Sequence, residues 1–196
     1  LYRANPPQPT FNDADYDQAR KLLAEAGFPG GKGFPRFNYL YNTMEGHKLI
    51  GLTLQEEWKR QLGVEIALDN QEFKVTLNSR QSGNYDIARS GWHADFGDPI
   101  NFLELFDSAS EQNDSKFYDK QYDAMLAAIR AEAEADRRME LMRQAETYLM
   151  RQMPIVPLYY YTQNYMIAPG LEGYRLSVMG LFNAADLAWS APPAGK

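Results

Sequence analysis

Cysteine is absent from the 196 residues. That excludes disulfides, thiolate zinc sites, iron–sulfur ligation and a cysteine nucleophile at once. Histidine is scarce, with only His47 and His93, so a histidine-rich metal site is excluded. Basic residues are in deficit, 20 Lys and Arg against 26 Asp and Glu, for a net charge of −6. No basic cluster interrupts that balance, so phosphate-backbone binding to nucleic acid has little to work with. Long apolar runs are also missing. The longest nearly apolar stretch, Met153–Tyr161, is broken by Pro154 and Pro157 and is too short to span a bilayer. No charged-then-apolar start with a small-residue cleavage site opens the sequence, which by itself assigns no compartment. What is abundant is aromatic: 13 Tyr, 10 Phe and 3 Trp. Such rings suit both cores and ligand clefts. Hydrophobic residues at 44% and charged residues at 23% describe a globular chain with a real core.

Periodicity predicts alternating helices and strands. Pro6, Pro7 and Pro9 make a non-helical start, and Asn12 and Asp13 offer capping oxygens to a helix over Ala14–Ala26 that Gly27 ends. Phe37–Tyr41 alternates as a strand. Ile50, Leu54, Trp58 and Leu62 mark a helix from Gly46 to Leu62, stopped by Gly63, with a strand at Val64–Leu68. A helix over Phe73–Gln81 leads to a strand at Tyr85–Trp92. This β, α, β order predicts parallel strands joined by right-handed crossovers. A polar loop follows at 93–99, a short helix after Pro99, and a polar surface loop over Asp107–Asp119. Two helices are expected at Lys120–Glu132 and Glu134–Gln152, then strands at Ile155–Tyr161 and Tyr165–Ile167. Beyond Pro169 no period is evident.

Several residues carry possible chemistry. Asp86, Arg89 and Asp95 lie at or just beyond the end of one predicted parallel strand, where open α/β sheets place ligands. A buried Arg–Asp pair is the structural alternative. Gly91-Trp92 puts bare backbone beside a large ring, which suits a ligand main chain arriving edge-on, or an ordinary strand end with a core Trp. His47 opens a helix, where it serves as an anion donor or as a solvated surface histidine. The run Tyr159–Tyr161 offers rings to a cleft wall, and Glu132, Glu134 and Asp136 read as solvated surface. No catalytic motif is present: no Gly-x-Ser-x-Gly, no His-Glu-x-x-His and no phosphate-cradling loop. Carboxylate pairs such as Asp95 and Asp98 have acid–base potential in principle, but nothing beside them marks a nucleophile.

Read together, Tyr-Asp-Ile-Ala-Arg-Ser-Gly-Trp-His-Ala-Asp (85–95), Asp98-Pro99 and Phe102-Leu103 resemble the signature of oligopeptide-binding proteins. These belong to the extracellular solute-binding proteins of family 5, the receptors of peptide ABC transporters. Tyr41-Asn42-Thr43 with His47-Lys48, Gly63-Val64 through Asn70-Gln71-Glu72-Phe73, and Ile155–Tyr161 agree in order and spacing, so the resemblance runs from about residue 13 to 170. It implies an α/β fold, a lobe of the type II periplasmic-binding-protein kind with a mixed, mostly parallel sheet flanked by helices. Residues 1–168 correspond to the second lobe of a two-lobed receptor. Residues 169–196 correspond to a return segment toward a first lobe that is not in this chain.

By the same resemblance, Asp95 holds the peptide α-ammonium. Gly91 and His93 pair with the peptide main chain like an added strand. Arg89 and His47 meet the peptide carboxylate, and Asn42, Trp92, Phe73, Arg80 and Tyr161 line the cleft. Phe73 stands where close relatives carry Trp, which alters one side-chain pocket. The implied function is capture of short peptides and delivery to membrane permease subunits, without chemistry on the ligand. No cofactor, metal or nucleic acid is expected, and the place of work is the periplasm, or the outer cell surface of a Gram-positive organism. A receptor for dipeptides, murein peptides or another small solute is the nearest alternative. A hydrolase using Asp95 and Asp98, and a stand-alone α/β interaction domain, are the others.

Overall fold

The structure, a computed structural model, describes residues 13–190 except Gln163 and Val178. The proline-rich start and the capping side chains of Asn12 and Asp13 lie outside the described residues. The chain divides at Ser90/Gly91 into two units.

The first unit begins with helix α1 (Asp13–Glu25) and strand β1 (Phe37–Asn42). Helix α2 (Glu45–Leu62) and strand β2 (Ile66–Gln71) follow, then helix α3 (Phe73–Ser82) and strand β3 (Ile87–Ala88). The sheet runs β2-β1-β3, and both pairings are parallel, as the β, α, β order predicts. β1 is the middle strand. Tyr39 and Tyr41 are buried on one face and Leu40 on the other, because helices cover both sides of a parallel sheet. Leu54, Trp58 and Leu62 of α2 pack on Tyr39, Tyr41, Val64 and Ile66. They recur at helical spacing and so share one face.

Gly63 ends α2 in a left-handed conformation (φ 70°), its N–H donating to the Lys59 carbonyl at 3.2 Å. Gly31 (φ 74°), in the loop after α1, lies directly against it. A Cβ on Gly31 would stand 2.3 Å from the Gly63 carbonyl oxygen, and one on Gly63 would stand 2.3 Å from that of Gly30.

Two expected strands are displaced. β2 begins two residues later than the alternation suggests, because its ladder is set by β1: Phe37 opposes Ile66 and Asn42 opposes Gln71. The strand expected over Tyr85–Trp92 shrinks to Ile87–Ala88, opposite Tyr39 and Leu40. On one side the Asp86 carboxylate accepts the Asn38 N–H at 2.9 Å, so a side chain takes a ladder position. On the other the Arg89 N–H still donates to the Leu40 carbonyl at 2.8 Å, after which the ladder ends.

The second unit is built on three helices: α4 (Ile100–Leu103), α5 (Lys120–Ala131) and α6 (Ala135–Gln152). Tyr122, Leu126 and Ile129 of α5 meet Met142, Ala145 and Leu149 of α6 around Ile100 and Leu103. Caps fix the helix starts. The Asp119 carboxylate accepts from the N–H groups of Gln121 and Tyr122, and Glu134 accepts from those of Asp136 and Arg137. Glu134 is therefore a cap as well as surface. The loop over 107–119 is organised by buried Asn113, whose amide donates to the Phe117 carbonyl at 2.7 Å.

The strands expected at Ile155–Tyr161 and Tyr165–Ile167 do not form. No neighbouring strand supplies a ladder there among the described residues. The antiparallel ribbon of this unit is instead β4 (Leu171–Glu172) with β5 (Ala188–Trp189), within the stretch that lacked a period.

Candidate functional site

In the first unit, the carboxyl ends of β1 and β3 bring Asn42, His47 and Arg89 together. Asn42 closes β1, and the next residue, Thr43, donates its N–H to the Gln71 carbonyl at 2.9 Å. His47 sits in the first turn of α2 and is only 7% exposed, so the solvated-histidine reading is overturned. Burial pushes its imidazole below the usual histidine range and the positive charge of Arg89 pushes the same way, against a hydrogen bond to the Asn42 backbone. Its Nδ1 is buried without a hydrogen-bond partner. A neutral imidazole, the Arg89 guanidinium and the first turn of an 18-residue helix, which also carries Glu45, meet at this end of the sheet. Phe73 and Arg80 lie on α3, seven residues and about 10 Å apart along the helix and on the same face. Phe73 is exposed and Arg80 half-buried.

In the second unit the loop after Gly91 carries the other predicted residues. Its organiser is one the sequence reading missed, Asn101 of α4, which is 7% exposed. The Asn101 Oδ1 accepts from Trp92 Nε1–H and from the Asp95 backbone N–H, both at 2.9 Å. Its Nδ2 donates to Asp95 Oδ2 at 3.4 Å. Asp95 itself is exposed. Asp98 pins the start of α4, accepting the Ile100 N–H at 3.0 Å, and takes Arg138 Nη1 at 2.7 Å on its other oxygen. The bond from Arg138 holds the Asp98 carboxyl below the usual carboxylate range. With both oxygens engaged and its proton held off, Asp98 is poorly placed to shuttle protons with Asp95.

The His93 ring stacks on Tyr161, centroids 4.9 Å apart and planes 14° apart, and Tyr159 meets Tyr161 edge-on at 5.4 Å. Gly91 lies under the same tyrosine. A Cβ there would come within 2.6 Å of the Tyr161 Oη. Gly91, Trp92, His93, Asp95 and Tyr161 thus form one assembly of bare backbone, rings and an outward carboxylate. Among the described residues, no cluster of His, Asp and Glu is disposed to hold a metal ion, and no helix is long and apolar enough to cross a membrane.

The family description "bacterial extracellular solute-binding proteins, family 5 Middle" matches residues 1–114. The chain belongs to this family. It is 38% identical over 173 residues to the periplasmic murein peptide-binding protein MppA of Escherichia coli strain K12, covering 88% of this chain and 31% of that protein. It is 39% identical over 158 residues to the periplasmic oligopeptide-binding protein OppA of Salmonella typhimurium strain LT2, covering 81% and 29%. A solved structure of OppA from Burkholderia pseudomallei matches with a TM-score of 0.81 at 32% identity, over 95% of this chain and 37% of that one. The expected fold, an α/β lobe of the periplasmic-binding-protein kind, is borne out. The chain spans about a third of the length of the curated relatives it matches.

Proposed function

We propose that this chain is the ligand-binding second lobe of a peptide receptor that serves an ABC importer outside the cytoplasmic membrane. The observation that carries the reading is the exposed Asp95 carboxylate, set on a loop braced by Asn101 beside the bare backbone of Gly91. A carboxylate held this way suits a peptide α-ammonium, and a glycine main chain, free of a side chain of its own, suits a ligand read by its backbone. Arg89, His47 and Asn42, on the first unit, suit a peptide carboxylate. Trp92, His93, Tyr161, Phe73 and Arg80 suit side-chain walls. The engagement of Asp98 by Arg138 supports binding without hydrolysis. A first lobe of the same receptor is the natural cover for exposed Val156, Tyr160, Tyr165 and Met166, and residues 169–196 are its natural return path. Permease subunits in the membrane are the expected acceptor of the captured peptide. Likeness to a murein peptide-binding protein supports a second ligand class, cell-wall peptides.

The test uses the complete receptor. Mass spectrometry of co-purified ligands should find short peptides. In calorimetry, Asp95→Asn should weaken a free-amine tripeptide by about 2–5 kcal/mol, roughly thirtyfold to several-thousandfold. N-acetylating the peptide should weaken wild type as strongly and Asp95→Asn little, since either change removes the same ion pair. If the two penalties add independently, Asp95 is not the ammonium partner.

A further inference from the structure

We propose that Asn101 is a positioning residue for ligand recognition, acting through Asp95: its buried amide sets the loop over 92–95 and aims the Asp95 carboxylate outward. This rests on the reading of Asp95 as the partner of a ligand ammonium.

The amide has no freedom in which way round it lies. Two N–H donors, Trp92 Nε1 and the Asp95 backbone, converge on one atom, which must therefore be the oxygen. The nitrogen then faces Asp95 Oδ2 and draws that oxygen inward. The other carboxylate oxygen is left for a partner from outside. Support for Asn101 comes from behind. Its N–H donates to the Asp98 carbonyl at 3.2 Å, and Asp98 is tied to Arg138 of α6, which packs against α4. Titratable and charged groups at the loop include this Asp98–Arg138 pair and, on the loop itself, His93 with Tyr161 stacked on it.

An apolar side chain at 101 would leave two part-buried N–H donors without their acceptor. An aspartate would keep both acceptor contacts but set a second carboxylate against Asp95. Only an amide satisfies all three contacts.

The complete receptor, with Asn101→Leu and Asn101→Asp, is titrated with tri-alanine and N-acetyl-tri-alanine from pH 5 to 8. Asn101→Leu should weaken tri-alanine about tenfold or more and the acetylated peptide less than about threefold, because aim matters only when an ammonium is present. Equal losses on both peptides overturn the proposal, since they mean that Asn101 only holds the fold. Asn101→Asp keeps the loop's acceptor and serves if the leucine variant fails to fold. Its paired carboxylates should retain one proton to higher pH, which the ligand ammonium expels. Tri-alanine affinity should then climb with pH by up to about tenfold per unit, a slope absent from wild type and from the acetylated peptide. A profile matching wild type overturns the proposal. If wild type itself does not distinguish the two peptides, the Asp95 reading has failed, and the role of Asn101 fails with it.

Discussion

Gly91→Ala separates stability from binding. Gly91 does not sit in the left-handed region, so its backbone accepts alanine. The obstacle is Tyr161: the new methyl would stand 2.6 Å from Oη, 3.0 Å from Cε2 and 3.2 Å from Cζ. Optimal contacts lie near 3.5 Å or beyond, so the ring must retreat by about 1 Å. Tyr161 is 43% exposed and can do so. Retreat sacrifices its stack on His93, worth about 0.5–1.5 kcal/mol. Stiffening the unfolded chain returns about 0.4–1 kcal/mol. The two nearly cancel, so the net change should stay within about 1 kcal/mol, and Tm should move by no more than about 2–4 °C. On the proposed function, which places Gly91 and Tyr161 at the ligand, peptide affinity should nevertheless fall about tenfold or more. The assay pairs thermal unfolding of the chain with peptide titration of the complete receptor. Tyr161→Phe is a second arm, since removing Oη relieves the nearest clash without restoring the backbone edge. A Tm loss above about 10 °C would refute the idea that Tyr161 can yield. Unchanged affinity would remove Gly91 and Tyr161 from the site.

Three further outcomes are expected. Tyr122→Phe should cost about 1–3 kcal/mol in denaturant unfolding, because the Tyr122 hydroxyl donates to the Leu103 carbonyl at 2.9 Å inside a fully buried core, and that carbonyl would be stranded. Arg138→Ala should let the Asp98 pKa rise toward its ordinary value. A carboxylate depressed on folding stabilises fully above its unfolded pKa and loses that share as pH falls through its folded value. The deficit of Arg138→Ala in urea melts, about 0.5–1 kcal/mol for this half-exposed pair, should thus be full near neutrality and close below about pH 4. The chain expressed by itself should self-associate in analytical ultracentrifugation, since Val156, Tyr160, Tyr165, Met166, Leu181 and Phe182 expose apolar surface in one unit; a monomer at high concentration would refute this.

Helix positions were legible because their signals are local. Leu54, Trp58 and Leu62 repeat along one face, and Gly63 and Gly83 stop their helices with left-handed backbone. Strand lengths were not legible, because a ladder needs a partner that alternation cannot name. Ile155–Tyr161 has strand composition and no strand beside it among the described residues. Of the site, Gly91, Trp92, His93, Asp95 and Tyr161 were marked by the family resemblance, and the structure gathers them. Asn101 and Asn113 escaped notice. A buried amide that organises a loop has no period and no characteristic neighbour, and only the converging donors show what it does. His47, at a helix start, reads either as an anion donor or as solvated surface; the structure buries it, with Arg89 and the Asn42 backbone acting on it.

The contact between Gly31 and Gly63 joins the turn after α1 to the turn after α2, backbone against backbone. Each glycine occupies space that a side chain on the other would need, and the obstacle is a carbonyl that no rotamer change can move. Neither position can drift alone, and no single substitution at one compensates for a change at the other. The restriction extends to loop length. An insertion after Gly27 or beside Gly63 would pull the two turns out of register and reopen both helix ends. Surface turns are ordinarily where a lineage tolerates insertion and experiment. Here two of them behave as core, and variation in this unit is left to the outer faces of its helices.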